Sequence, residues 1–230
     1  MEWLCLLFWR AGILALMIMK AFKKQLLLTF SLLCCISMKA QDRLGFCLLQ
    51  EMNFLMDGYD VRLEKILHDH LSEDFMIRCI FMPSFDPECV LQVERIPKTE
   101  DYQIITLSFE KNLWYHKNDS IGVSTNTMCI EKNKALGLIN LTCLFFENKS
   151  DLMQPGCVND GETIQFEVNV CGEKQCGATQ CPTEESLTGR LVKIFDVLKA
   201  CVINGTTNQE AFDLINCLFN EASAYYESVD

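Results

Sequence analysis

The chain has 230 residues, of which 50% are hydrophobic, and a formal net charge of −11. This length suffices for one domain of ordinary size or two small ones, and the apolar content suffices for a hydrophobic core. The negative charge repels phosphate backbones, and no basic stripe with interleaved aromatic residues occurs. The composition therefore argues against nucleic-acid binding.

The N-terminal part of the chain predicts export. Residues 20–24 contain three lysines, and thirteen uncharged residues follow over Leu26–Met38. The small residue Ala40 then precedes a polar segment. A basic segment, a short apolar run and a small residue are the parts of a cleavable signal peptide, and the run is shorter than the ~20 residues that span a bilayer. We expect a signal peptide over 19–40, with cleavage after Ser37 as the competing register.

The first 18 residues do not belong to this signal, because they precede its basic segment. The methionine that follows them is a more natural start, so we interpret 1–18 as an upstream extension. A transmembrane anchor over Trp3–Met19 is an alternative, although Arg10 at its centre costs about 2.5–3.5 kcal/mol. A lipoprotein with an acyl chain on Cys34 or Cys35 is a further alternative.

Residues 41–230 are predicted to form a single domain. Without the first 40 residues the net charge is −15, and eleven cysteines remain. In an oxidising compartment several cysteines pair, and an odd number leaves at least one free, chemically special or bonded to a second chain. We therefore expect disulfides that supplement a hydrophobic core, and a dimer through an unpaired cysteine is one form open to the mature protein.

The first half of the mature chain predicts a helical region followed by strands. Apolar residues recur at helical spacing over 44–72, with a break at Asp57-Gly58. Short connections with turn residues then separate three β-rich runs, which predict an antiparallel meander: 75–82, 89–96 and 102–109. One or two further strands are expected within 112–128.

The second half predicts helices on either side of a strand. The apolar residues of 131–147 fall on one helical face, and Thr163–Val170 reads as a strand. Two helices end the chain, Glu184–Val202 with Thr183 as its N-cap and then Gln209–Tyr226. This order predicts an α+β domain with a mainly antiparallel sheet of three to five strands. The N-terminal, middle and two C-terminal helices are expected to cover one face of the sheet.

Cys171, Cys176 and Cys181 form the most conspicuous local pattern, with four residues between neighbours. Zinc sites favour gaps of two to four residues and a second ligand pair, and exported thiols tend to be oxidised. We therefore interpret the three cysteines as a disulfide-bonded loop between the last strand and the C-terminal helices. No metal site and no cofactor are predicted.

The three histidines do not indicate a catalytic or metal site. His68 and His70 are two residues apart near the end of a predicted helix, where they point in different directions and suit the helix dipole. His116 follows Trp114-Tyr115, and nothing in the sequence ties it to a nucleophile. No nucleophile elbow, phosphate-binding loop, dinucleotide fingerprint or zinc-protease motif occurs, so no catalytic residue is predicted.

Four asparagines begin glycosylation sequons: Asn118, Asn140, Asn148 and Asn204. In a eukaryotic secretory protein these sequons would imply a glycosylated surface. The chain is rich in asparagine, and Asn140 lies within a predicted helix, so chance matches are expected. A eukaryotic, secreted, disulfide-containing glycoprotein therefore stays open as an alternative.

Several segments resemble small uncharacterised exported proteins of Bacteroidetes-type bacteria. The N-terminal residues 19–24 and 38–41, which end in Ala-Gln, look like export signals of that group. Four loose motifs in the mature chain are also similar to parts of those proteins: Met82–Glu88, Leu107–Tyr115, Asp160–Phe166 and Thr188–Ile194. The resemblance implies a periplasmic or secreted location and no particular activity.

These features favour a non-catalytic exported domain that binds another protein or a cell-envelope component. Phe109, Trp114 and Tyr115 lie beside the predicted meander and are the expected contact patch. The alternative is a thiol-dependent or hydrolytic enzyme built around whichever cysteine stays unpaired.

Overall fold

The computed structural model describes residues 43–45, 58–117, 119–149, 161–170, 172–206 and 209–229. All of them belong to one unit of the chain, Ala40–Asp230. The predicted upstream extension and signal peptide lie outside the described residues, as do Cys34, Cys35 and most of the first predicted helix. No described helix is both long and apolar enough to cross a membrane.

The described residues form six strands and four helices. The strands are β1 (Phe75–Pro83), β2 (Cys89–Arg95), β3 (Tyr102–Phe109), β4 (Val123–Ile130), β5 (Glu162–Val170) and β6 (Glu173–Gln180). The helices are α1 (Tyr59–His70), α2 (Lys132–Glu147), α3 (Leu187–Asn204) and α4 (Gln209–Val229). All strand pairs are antiparallel, in the order β4-β3-β2-β1-β5-β6. The predicted α+β class is therefore confirmed, with six strands where three to five were expected.

Helices cover both faces of the sheet, where one covered face was expected. On one face α2, α3 and α4 enclose a large core in which Phe166 of β5 meets Phe195 of α3, with ring centroids 5.2 Å apart. On the other face α1 packs its Leu63 and Leu67 against Ile80 and other apolar residues of β1–β3. Because side chains alternate along a strand, the continuously buried middle of β1 needs a partner on each side.

The segment from Cys171 to Cys181, predicted as a loop, contains strand β6. Most residues of β6 are polar or small, because the strand lies at one edge of the sheet, where only part of its surface is covered. Cys176 lies within β6 and is disulfide-bonded. The backbone of Gly45 pairs with Ala178 of the same strand through N···O distances of 2.8 and 3.1 Å. Gly45 is therefore extended and does not begin a helix.

The α3 helix begins later than predicted and uses a different N-cap. Its first residue is Leu187, and Ser186 instead of Thr183 is the cap. The Ser186 hydroxyl accepts a hydrogen bond from Gly189 N–H at 3.0 Å and donates one to the Thr183 carbonyl at 2.7 Å. A Cβ at Gly189 would lie 1.8 Å from that carbonyl oxygen, so this turn requires glycine.

Candidate functional site

The predicted contact residues separate into one buried and two exposed side chains. Phe109 is 5% exposed in the core beneath α1, so it offers no surface to a partner. Trp114 and Tyr115 are 38% and 57% exposed, in the connection between β3 and β4. Phe85, in the turn between β1 and β2, is 65% exposed and stacks on Tyr115 with centroids 6.3 Å apart and planes 8° apart. We call Phe85, Trp114 and Tyr115 the aromatic patch.

Sequence reasoning missed Phe85, although Met82–Glu88 was singled out for its resemblance. A phenylalanine between Ser84 and Asp86 in a turn is a signal for exposure, because a tight turn leaves little room to bury it. Its partner Tyr115 is distant in sequence, so the stacking could not be foreseen from the turn alone.

Asn112 ties the two parts of the aromatic patch together. Its amide nitrogen donates to the carbonyls of Pro83 at 3.3 Å and Asp86 at 2.7 Å, in the turn that carries Phe85. Its amide oxygen accepts from the backbone N–H groups of Trp114 at 2.9 Å and Tyr115 at 3.3 Å. Because Asn112 is itself buried, these four bonds fix both connections relative to each other.

Glu88 anchors the same connection from below. Its carboxylate accepts the Leu113 N–H at 2.9 and 3.2 Å and the Tyr59 hydroxyl at 3.0 Å. Burial raises the pKa of Glu88, and the hydrogen bonds from Leu113 and Tyr59 oppose that rise. Burial and the nearby Glu88 charge also raise the pKa of Tyr59, so its hydroxyl stays a donor. The Tyr59 ring supports Trp114 with centroids 6.2 Å apart.

Charged side chains complete the connection around the aromatic patch. Arg62 of α1 donates to the carbonyls of Leu113, His116 and Asp119 at 3.2, 3.0 and 3.3 Å. Asp119 accepts from Lys111 at 3.1 Å and contacts His116 Nδ1 at 2.9 Å. Hydrogen bonds from Lys111 and His116 lower the pKa of the Asp119 carboxyl.

The described cysteines do not form a reactive centre with a histidine. Unpaired thiols are present at Cys79, Cys89, Cys129, Cys143, Cys201 and Cys217. Burial raises the pKa of the thiols of Cys79, Cys89 and Cys143, which disfavours the nucleophilic thiolate. His116 contacts Asp119, and His68, in the last turn of α1, lies 3.9 Å from Glu73.

Two cysteines of the predicted pattern, Cys176 and Cys181, lie in the described part of the chain. Cys176 lies within β6, whereas Cys181 follows that strand and its sulfur lies 3.8 Å from the Glu162 carbonyl oxygen. Cys171 lies outside the described residues. Within the described part of the chain, no group of three or more His, Cys, Asp or Glu side chains could hold a metal ion.

Comparison with known proteins shows no family for this chain. No protein-family model, curated protein or solved structure matches it. The resemblance to exported bacterial proteins therefore stays a prediction. The aromatic patch and its supporting contacts are the structural features that bear on function.

Proposed function

We propose that this chain is an exported, non-catalytic domain that binds a partner protein through the aromatic patch. The observation that carries the proposal is that the aromatic rings of the patch are exposed while the backbone that bears them is held in place. Phe85 and Tyr115 are more than half exposed, while Asn112 and Glu88 hold the backbone beneath them. A contiguous group of exposed apolar side chains, in contrast to a single one, marks an interaction site on a protein surface.

The fixed backbone favours binding because little conformational freedom is lost when a partner arrives. Tyrosine and tryptophan are among the side chains that contribute most at protein interfaces, since each buries a large area and keeps one polar group. Lys117 lies 4.9 Å from the Trp114 ring centroid and, with His116 and Asp119, provides a polar rim. An apolar centre with a polar rim is the usual arrangement of a protein interface.

The proposal also assumes that the chain is exported, and this assumption limits where its partner is found. Export is supported by the sequence pattern at 19–40 and by the resemblance of several segments to exported proteins. The partner is then a protein of the periplasm, the cell envelope or the medium.

The proposal is tested by capture with a patch variant and a matched control. The mature protein is immobilised, exposed to envelope and medium fractions of its source cells, cross-linked and analysed by mass spectrometry. The double variant Phe85→Ser/Tyr115→Ser removes the two most exposed rings of the patch. The control, Ile203→Ser/Leu214→Ser, removes two exposed apolar side chains of α3 and α4, which are 45% and 38% exposed.

We expect the wild type and the control to capture the same protein, and the patch variant to capture it at least about tenfold more weakly. Equal capture by the patch variant, with an unchanged circular dichroism spectrum, would refute the proposal. Capture that survives protease treatment of the fractions would point to an envelope glycan and refute a protein partner. Trp114→Ala is a weaker test, because Trp114 also contacts Tyr59 in the protein interior.

A further inference from the structure

A cavity with a volume of about 400 Å³ lies between α1 and the sheet, and both charged and apolar side chains line it. Asp60, Leu63 and Leu67 of α1 form one wall, and Arg78 of β1 and Gln165 of β5 line the sheet side. The volume lies at the lower end of the range of about 300–1,000 Å³ that is typical of small-molecule sites. No lining residue belongs to the aromatic patch, so the cavity is a separate feature.

The arginine and the lysine that line the cavity already have acidic partners. Arg78 is 5% exposed and lies 3.2 Å from Glu167, with Nη1 facing the carboxylate. Lys174 donates to Glu73 at 2.6 Å. An anionic ligand would have to compete with these carboxylates for a positive charge.

Asp60, in contrast, has no partner for one of its oxygens. The side chain is 6% exposed, and Oδ1 is buried without any hydrogen-bond donor. Glu64, one helical turn further along α1, lines the same wall. Burial raises the pKa of Asp60, and the charge of Glu64 raises it further. Two like charges four residues apart repel each other on a helix, and a positive charge between them would remove that repulsion.

We propose that this cavity binds a small organic cation, a primary ammonium on a short alkyl chain. The ammonium carries three hydrogen-bond donors and a positive charge, which match the carboxylates of Asp60 and Glu64. The alkyl chain lies against Leu63, Leu67 and Ile80. A neutral or anionic analogue of the same size lacks the charge that these carboxylates favour.

The test uses n-butylammonium as the probe, with n-butanol and butyrate as uncharged and anionic analogues. Backbone amide shifts are followed by nuclear magnetic resonance during titration of the mature protein at neutral pH. We expect n-butylammonium to shift amides of α1 and β5 in a saturable manner. Both analogues are expected to bind at least about tenfold more weakly.

Asp60→Asn is the test variant, because it removes the charge and preserves the shape of the side chain. Asp69→Asn on the same helix is the matched control, since Asp69 is exposed and does not line the cavity. We expect Asp60→Asn to weaken n-butylammonium binding at least about tenfold and Asp69→Asn to leave it unchanged. Glu64→Gln, on the exposed side of the wall, is a second test variant for which a smaller loss of binding is expected.

Equal binding of n-butanol and n-butylammonium would overturn the proposal, as would equal loss of binding in both aspartate variants. Displacement of n-butylammonium by millimolar Ca²⁺ or Mg²⁺ with the same set of shifted amides would indicate a metal site and also overturn it. The patch variant Phe85→Ser/Tyr115→Ser is expected to keep full binding of the amine. Failure of this proposal and failure of the proposed partner interface are therefore distinguishable.

Discussion

Glu88 and Asp60 are two buried carboxylates beside α1 that differ in how they are satisfied. Glu88 is 2% exposed and accepts hydrogen bonds from Tyr59 and Leu113, whereas Asp60 leaves Oδ1 without a donor. A buried acceptor with donors stabilises the folded chain, and one without donors destabilises it. Glu88 therefore has a structural role in fixing the aromatic patch. The burial of Asp60 does not stabilise the fold in this way, and the proposed cation site gives it a different role.

Asp60→Asn is expected to stabilise the protein in the absence of any ligand. The folded-state pKa of Asp60 lies above its ordinary value of 3.8, so the folded protein binds this proton more tightly than the unfolded chain. The carboxylate consequently lowers stability at neutral pH, and this penalty disappears as the pH falls through the folded and then the ordinary pKa. We expect the free energy of unfolding at neutral pH to rise by about 1 kcal/mol, as measured by urea denaturation.

The gain should shrink as the pH falls through the raised pKa of Asp60 towards its ordinary value of 3.8, because the folded protein then takes up the proton before the unfolded chain does. The control is Asp69→Asn, whose exposed carboxyl is expected to change the unfolding free energy little at either pH. A destabilised Asp60→Asn protein at neutral pH would contradict the interpretation of an unsatisfied buried charge.

At the scale of elements, the sequence predicted the central strands better than the edges. β1, β2, β3 and β5 have apolar residues at period two or in continuous runs, because they are covered on both sides. The edge strands β4 and β6 carry mostly polar or small residues and gave a weak signal or none. Their place in the sheet follows from pairing with β3 and β5, which periodicity along the chain does not encode.

The connection between β3 and β4 is the element on which the proposed interface depends, and Asn112 is its central residue. Asn112→Ala removes four hydrogen bonds that join this connection to the turn carrying Phe85. We expect a loss of about 1–3 kcal/mol in unfolding free energy, because buried backbone groups lose their partners. Hydrogen exchange of the Trp114 and Tyr115 amides should accelerate, which mass spectrometry of the peptic fragments would detect.

Asn112→Asp is the matched variant for this prediction. The carboxylate can still accept from the Trp114 and Tyr115 amides, but it cannot donate to Pro83 and Asp86. We expect protection of those two amides to be largely kept, while the turn that carries Phe85 becomes less protected. Equal exchange in both variants would show that Asn112 does not couple the two segments.

At the scale of the whole described domain, the two faces of the sheet have different roles. The face under α2, α3 and α4 is a continuous apolar core, which supports stability. The face under α1 is apolar near Phe109 and polar near Arg78, and both proposed sites lie along it. The sequence could not reveal this division, because Arg78 sits within an otherwise apolar run and Asp60 beside exposed Val61. Burial at these positions depends on which elements pack across the sheet.

Alkylation of the cysteines can test whether the helices cover the sheet across the whole domain, because it reports which thiols a reagent can reach. Cys129 and Cys217 are exposed, whereas Cys79 is buried in the core under the helices and Cys201 is a buried residue of α3. We expect iodoacetamide to label Cys129 and Cys217 in the native protein without reductant, because exposed thiols reach the reagent and buried ones do not. Cys79 and Cys201 should react only in denaturant, and Cys176 only after reduction.

Peptide mapping by mass spectrometry reads out all five positions in one experiment, with the denatured and reduced protein as the reference for complete labelling. The raised pKa of the Cys79 thiol strengthens its expected protection, since little thiolate forms even where reagent enters.

Native labelling of Cys79 at the rate of Cys129 would mean that the layer of α2, α3 and α4 does not close over β1 as the structure shows. Labelling of Cys176 before reduction would contradict its disulfide. Protection of Cys79 with prompt labelling of Cys129 would instead agree with the helix-covered face as the stable part of the domain, because Cys79 then becomes reactive only on global unfolding.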